Sequence, residues 1–216
     1  MRTYRLFKLL ALLIAGVALQ AFVSCLPCFE DFNNNGSVAR SCDNAVTDSG
    51  TVTCGGQTYR TVKIGSQVWM AENLNYNTSG SACYDNISDC SDYGRLYDWY
   101  TASVVCPEGW HLPSNDEWTT LINFIGENAG TKLRAKSWSG GTDDYGFSAL
   151  PSGNGYSPCF FATKDKCGWW WTATEYSGRT NQNAWHWTMC SSNNLTGDPA
   201  SNKPVLYSVR CIQTLP

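Results

Sequence analysis

The sequence predicts an α+β domain in which two helices pack on small antiparallel sheets joined by long loops, with disulfides stabilising the structure. Three observations support this fold class. Two segments carry apolar residues at helical spacing, several short segments have the pattern of strands, and 11 cysteines occur in a chain of 216 residues. From Lys136 onward, short strands and long loops dominate the pattern.

Residues 1–24 have the organisation of a bacterial secretory signal. Three basic residues precede an apolar run over residues 9–19, which is too short to cross a bilayer comfortably. Residues 22–25, Phe-Val-Ser-Cys, resemble a bacterial lipobox, so Cys25 is the predicted lipid-bearing first residue of the mature chain. Cleavage after Ala21 is the alternative, and it would release a soluble protein. We therefore expect an outer-membrane or cell-surface lipoprotein, or else a secreted or periplasmic protein.

The cysteine count agrees with a lipid on Cys25. The ten cysteines that remain are an even number, and an exported chain is expected to oxidise them in pairs. A zinc site is disfavoured because the one Cys-x-x-Cys spacing, Cys25 and Cys28, sits at the cleavage point and the chain has only two histidines, His111 and His186. We predict no metal and no cofactor.

The charge balance argues against nucleic acid as a partner. The chain has 15 Lys and Arg against 18 Asp and Glu, and loss of three basic residues with the signal leaves a net charge of −6. No run of basic residues is present. The 10 Trp and 11 Tyr fit either an aromatic core or a surface that binds by stacking.

The chain after the signal divides into a tether and one domain. Residues 25–57 are rich in Asn, Ser, Thr, Asp and Gly and form the predicted Cys-containing tether, and residues 58–216 form the domain. The domain opens with a hairpin signal, strands over 61–64 and 67–70, because Gly65 supplies the positive φ of a tight turn.

Two helices are predicted next. The first is expected between Gly94 and Pro107, which would stop it. The second begins at Ser114, the N-cap of a capping box that Glu117 completes, and ends at Gly126. Apolar stripes mark both: Leu96, Trp99, Tyr100 and Val104 in the first, and Trp118, Leu121, Ile122 and Ile125 in the second.

The second half of the domain carries the strand signals. Residues 169–174, 184–189 and 205–212 are predicted strands, and alternation along the second one places Trp185 and Trp187 on one face with His186 on the other. Two disulfides are expected to close local loops, Cys83–Cys90 and Cys159–Cys167.

Six segments in order resemble the Fibrobacter succinogenes major paralogous domain family. Together they extend over nearly all of residues 59–213, and the combination is specific. Members of this family are exported, often lipid-anchored bacterial proteins, so the resemblance implies the same of this chain. The segments are VKIGSQVWMAENLN (62–75), YGRLY (93–97), CPEGWHLPS (106–114), GFSALP (146–151), WWTATE (170–175) and SVRC (208–211).

A second resemblance concerns the fold. Trp99, Ala102 and Cys106, followed by Gly109, Leu112, Glu117 and Leu121, are similar to the two-helix opening of C-type lectin-like domains. That likeness implies a disulfide between Cys106 and Cys211. Residues 111–118 also look like the corresponding stretch of formylglycine-generating enzymes, which share the lectin-like fold.

The enzyme interpretation is the weaker one. Formylglycine-generating enzymes need reactive cysteines near the end of the domain, and here the late cysteines are Cys190 and Cys211, the latter already assigned to a bridge. The Glu-Pro-Asn or Gln-Pro-Asp triplet of calcium-dependent lectins is absent too. The sequence therefore predicts a non-catalytic domain.

The predicted ligand face lies within residues 175–203, where Asn, Ser and Tyr predominate as they do in recognition loops. Two hypotheses follow: a surface module that binds a glycan or protein ligand, or a structural envelope lipoprotein with no small ligand. The candidate binding residues are Tyr176, Arg179, Asn181, Asn183, His186, Ser191, Asn193, Asn194 and Asn202.

Overall fold

The structure is a computed structural model that describes Cys42 and residues 46–48, 50–86, 90–156, 160–178 and 182–214. These residues belong to a compact unit, Ser37–Pro216. The predicted signal and the lipid site at Cys25 lie outside the described residues, as do Cys28, Cys159, Arg179 and Asn181. In the part of the chain that is described, no helix is long and apolar enough to cross a membrane.

One sheet joins the start of the domain to its end. Its order is β1-β2-β3-β4-β14-β7, and Ile212 of the last strand pairs with Trp69 on one side and His111 on the other. The predicted hairpin is present, with Gly65 at φ 60° in its turn. The strands are β1 (Val46–Asp48), β2 (Thr51–Cys54), β3 (Gln57–Ile64), β4 (Gln67–Met70), β7 (Trp110–His111) and β14 (Ile212–Gln213).

The other sheet is built mainly from the second half of the chain. Its order is β12-β11-β10-β13-β6-β5, with β8 paired to β13 and β9 paired to β8. The three longest neighbours, β10, β11 and β12, run antiparallel to one another. The strands are β5 (Ser81–Ala82), β6 (Leu96–Tyr97), β8 (Asn154–Tyr156), β9 (Phe160–Ala162), β10 (Cys167–Tyr176), β11 (Asn183–Cys190), β12 (Asn193–Asn202) and β13 (Val205–Ser208).

The α+β lectin-like architecture, with two helices on small sheets, is corrected by this structure. Strands account for 40% of the described residues and helices for 15%, in curled sheets with three short α-helices. The polar segment after Ser191 is strand β12, because it pairs along β11 from Cys190 to Asn183. The helices are α1 (Trp99–Ala102), α2 (Asn115–Ile125) and α3 (Ala129–Leu133).

The first predicted helix is much shorter than its apolar stripe suggested. Leu96 belongs to β6 and pairs with Ser208. The helix begins only at Trp99, because the Asp98 side chain accepts a hydrogen bond from the Thr101 backbone N–H at 2.7 Å and caps it there. Strand pairing thus took Leu96 out of the predicted helix, and Val104 lies in the turn that follows it.

Helix α2 confirms the capping-box prediction. Ser114 Oγ accepts from the Glu117 N–H at 3.1 Å, and the Glu117 carboxylate accepts from the Ser114 N–H at 2.7 Å. Trp118 and Leu121 are fully buried, and the helix ends at Gly126. This helix places Trp118 in a ring cluster whose other members are Trp69, Phe147, Trp170 and Trp187.

Several residues of the family motifs meet in a buried polar network. Asn73 Oδ1 accepts hydrogen bonds from Arg210 Nη2 at 2.8 Å and from Trp170 Nε1 at 2.9 Å. Arg210 also donates to the carbonyl of Phe147 and is fully buried. Burial lowers the pKa of Arg210 to about 9, so the guanidinium stays charged at neutral pH. These residues therefore hold the two sheets and the Phe147 loop in place.

Four disulfides are present among the described residues. Cys106 is bonded to Cys211, as the lectin-like resemblance implied, and Cys83 to Cys90. The predicted Cys159–Cys167 bridge is wrong, because Cys167 is bonded to Cys190 on the neighbouring strand, where the two residues are directly paired. The fourth bridge joins Cys42 to Cys54.

Candidate functional site

Three of the predicted ligand residues form a row across three adjacent strands. Tyr176 at the end of β10 pairs with Asn183 at the start of β11, which pairs with Asn202 at the end of β12. Directly paired residues project to the same face of a sheet, so the three side chains are neighbours. Tyr176 is 40% exposed, and Asn202 is exposed. We call these residues the Tyr176–Asn183–Asn202 row.

Other predicted ligand residues lie at the opposite end of the same strands. Ser191 is in the turn between β11 and β12, and Asn193 and Asn194 begin β12. Strand β11 has 8 residues, so the two ends are about 25 Å apart at the usual rise of about 3.4 Å per residue. One small ligand therefore cannot contact both ends, and the single face expected from the sequence is divided into two regions.

His186, the predicted ligand residue between these ends, is an interior residue. It is 4% exposed, its ring stacks on Trp169 with centroids 5.3 Å apart, and its Nδ1 lies 3.0 Å from Ser201 Oγ. Ser201 Oγ is in turn 2.8 Å from the Tyr207 hydroxyl. Burial lowers the pKa of His186 to about 4, so the imidazole is neutral near pH 7. This placement corrects the prediction that His186 contacts a ligand.

A buried cation lies beside the Tyr176–Asn183–Asn202 row. The Lys203 side chain is 6% exposed, and its Nζ lies 2.7 Å from Glu175 Oε2 and 4.3 Å from the centre of the Trp99 ring. Tyr100, which follows Trp99 in helix α1, is 57% exposed, and the centre of its ring lies 5.7 Å from the Lys203 ammonium. Exposed tyrosine rings, amides and one ion pair therefore share this end of the sheet.

A cleft of about 450 Å³ lies at the Ser191 end. The loop after Cys90 contributes Asp92 and Tyr93, the β9–β10 turn contributes Asp165, and the segment after α3 contributes Trp138. Seryl hydroxyls and an apolar pair complete the lining. These residues are Ser137, Ser139, Ser191, Leu150 and Pro151.

Hydrogen bonds hold the elements of this cleft together. The Tyr93 hydroxyl donates to Asp165 Oδ1 at 2.6 Å, and this bond, followed by burial, raises the pKa of Tyr93 to about 12. The Asp165 N–H donates to the carbonyl of Pro151 at 2.9 Å, and the Ser191 N–H donates to that of Lys166 at 3.0 Å. The Tyr93 phenol is therefore neutral at physiological pH.

Sequence reasoning found Ser191 but missed the rest of the cleft. Tyr93 lies in a family motif with no predicted binding role, and no sequence pattern marked Asp92, Trp138 or Asp165 as ligand residues. The lining residues come from five separate segments between positions 92 and 191, so no local pattern could bring them together. Within the described residues, no group of three His, Cys, Asp or Glu side chains is arranged to hold a metal ion.

The structure defines a disulfide-stabilised, β-rich domain, and its sequence matches one known family. The family model of the Fibrobacter succinogenes major domain matches residues 62–213. The chain therefore belongs to that family, and the match extends over most of its length. No curated protein matches the chain significantly, and neither does any solved structure.

Proposed function

We propose that this chain is an exported, lipid-anchored surface protein whose domain is a non-catalytic binding module for a glycan or a protein ligand. The observation that carries the binding proposal is the Tyr176–Asn183–Asn202 row. A half-exposed tyrosine ring beside two amides offers one stacking surface with donors and acceptors at its edge. Export of the protein is supported by its family and by the four disulfides, because disulfides persist in oxidising compartments outside the cytoplasm.

The non-catalytic part of the proposal is supported by the state of the late cysteines and histidines. Cys190 and Cys211 are both oxidised in disulfides, so neither offers a thiolate. His186 is buried and neutral. His111 has its Nε2 2.8 Å from Glu117 Oε1 and its Nδ1 3.0 Å from Thr214 Oγ1, contacts that tie α2 to the last strands.

The binding proposal is tested on the exported, oxidised protein with a glycan array and a cell-wall pull-down. The variant Tyr176→Ala/Asn183→Ala/Asn202→Ala is expected to lose retention. Phe124→Ala is the matched control, because it truncates a ring that is 56% exposed on α2, outside the row. Full retention by the triple variant would remove the row as the site, and no retention by the native protein would favour the structural envelope lipoprotein.

The anchor is tested separately at Cys25. In the native producer, detergent phase partitioning should place the protein in the detergent phase, and Cys25→Ser should move it to the aqueous phase. The ten other cysteines are unchanged in this variant, so disulfide formation serves as its internal control. Equal partitioning of the two proteins would instead support cleavage after Ala21 and a soluble exported chain.

A further inference from the structure

The cleft at the Ser191 end has the composition of a small-molecule site. Its volume of about 450 Å³ falls within the range of about 300–1,000 Å³ that such sites occupy. Two aromatic residues, Tyr93 and Trp138, line it together with two carboxylates and three seryl hydroxyls. It lies about 25 Å along β11 from the Tyr176–Asn183–Asn202 row, so a ligand here is a different one.

Trp138, a lining residue, packs against Arg134, which is not part of the lining. Trp138 is 3% exposed and Arg134 6%, yet the Trp138 Nε1–H and the Arg134 Nε–H are buried donors without a partner among the described residues. The Arg134 guanidinium lies over the Trp138 ring, with its Cζ 5.6 Å from the ring centre. Both atoms are closed to solvent, so a ligand in the cleft would contact the groups that line it rather than these two donors.

The charges around the cleft favour a neutral ligand over a cation. Asp92 and Asp165 are the charged residues among the described lining. Lysine and arginine side chains of the protein itself already lie against the rings: the Lys164 Nζ is 5.0 Å from the centre of Tyr93, and Arg134 lies over Trp138. These two cations offset the two carboxylates and occupy ring faces that would otherwise attract an external ammonium group.

Carboxylates and hydroxyls beside aromatic rings match the chemistry of a sugar. Each sugar hydroxyl can donate to a carboxylate oxygen, and hydrogen bonds to an ionised acceptor are stronger than neutral ones. The C–H face of the sugar ring can pack against Tyr93 and the apolar Leu150–Pro151 pair. We propose that this cleft is a binding site for a neutral polyhydroxylated ligand of mono- or disaccharide size.

The proposal is tested by isothermal titration calorimetry of the exported, oxidised protein with glucose, galactose, mannose, cellobiose and maltose. At least one of these sugars should bind saturably, with an affinity that is unchanged between low and high NaCl. Asp92→Ala/Asp165→Ala should weaken that binding by about tenfold or more. Asp144→Ala is the matched control, since Asp144 is an exposed carboxylate outside the cleft lining.

A second variant protects the test against misfolding of the first. Ser191→Tyr places a bulky ring at the rim from an exposed turn position and should block the sugar while near-ultraviolet circular dichroism stays native. Absence of saturable binding by all five sugars would overturn the proposal, as would salt-sensitive binding of spermidine in their place. Sugar binding that survives both cleft variants but is lost in the Tyr176→Ala/Asn183→Ala/Asn202→Ala variant would overturn the cleft and leave the proposed function standing.

Discussion

The two ends of the β10–β11–β12 sheet are built in contrasting ways. At one end, the Cys167–Cys190 disulfide crosslinks directly paired residues, and the cleft opens beside it. At the other end, Tyr176 and Asn183 form the last pair of β10 and β11, and the Lys203–Glu175 ion pair and the hydrogen bond from the Lys203 N–H to the Gln182 carbonyl lie nearby. The first end carries a covalent crosslink beside a concavity, and the second, the open end, presents exposed side chains.

The contrast shows how an antiparallel sheet distributes residues that are close in sequence. Tyr176 and Ser191 are 15 positions apart, but β11 runs the full length of the sheet between them. A recognition surface inferred from a stretch of polar sequence is therefore divided by the strand within it. Each end can be perturbed alone, and the predictions below use that independence.

The largest expected effect is a loss of stability of the whole domain, which includes both ends of the sheet. Cys106→Ala/Cys211→Ala removes a bridge across a sequence separation of 105 residues, for which the chain-entropy model gives a loss of about 4–5 kcal/mol in the free energy of unfolding. Urea unfolding of the oxidised protein measures it. Cys83→Ala/Cys90→Ala, which opens a separation of 7 residues, is the control and should cost only about 2–3 kcal/mol. Equal losses in the two variants would mean that loop length does not govern these bridges.

Loss of the Cys167–Cys190 disulfide should destabilise one end of the sheet and leave the other end unaffected. Cys167→Ala/Cys190→Ala opens a separation of 23 residues and should lower the free energy of unfolding by about 3 kcal/mol. Amide hydrogen exchange should accelerate at Gly153 and Ser191, whose N–H groups bond the carbonyls of Cys167 and Lys166. The Lys203 N–H, bonded to the Gln182 carbonyl at the open end, should keep its protection. Acceleration at all three amides would show that the ends are coupled.

Local chemistry made some elements predictable from the sequence. The capping box of Ser114 and Glu117 specified where α2 begins, because its two hydrogen bonds join residues three apart. Gly65 similarly specified the β3–β4 turn. Strands β10 and β11 were recognisable because bulky aromatic runs such as residues 169–171 favour strands.

Elements that depend on pairing with another segment, rather than on their own residues, escaped prediction. Strand β12 contains three Asn, one Gly, one Asp and Pro199, residues that strands usually avoid, and it forms because it can pair along β11. The partner of Cys167 depended on the same register, which places Cys190 opposite it and excludes Cys159. The cleft combines residues from five segments, so only the tertiary structure could place Tyr93 against Asp165.

His186 lies between the two ends and should make the stability of the sheet depend on pH. Its folded-state pKa of about 4 is below the usual 6.5, because burial disfavours the charged imidazole. Between those values the unfolded chain binds a proton that the folded chain does not, so the free energy of unfolding should fall as the pH drops from 6.5 to 4. The loss is on the order of 3 kcal/mol.

The check is urea unfolding across that pH range for the native protein and for His186→Gln. The variant keeps a polar partner for Ser201 but cannot titrate, so its stability should change less between pH 6.5 and 4. His111→Gln is the matched control, since it makes the same substitution at the other histidine of the chain, which is half-exposed. A slope that is unchanged in His186→Gln would contradict the assignment of the pH dependence to this ring.

The smallest effect concerns the open end alone. Glu175→Gln leaves the buried Lys203 ammonium without its carboxylate and should lower the free energy of unfolding by about 1–2 kcal/mol. Lys203→Met removes the charge but keeps the apolar stem against Trp99, so its cost should stay below about 1 kcal/mol. Urea unfolding of both single variants and the double variant gives the coupling energy. If Lys203→Met costs more than Glu175→Gln, the contact between the ammonium and the Trp99 ring outweighs the ion pair at this end.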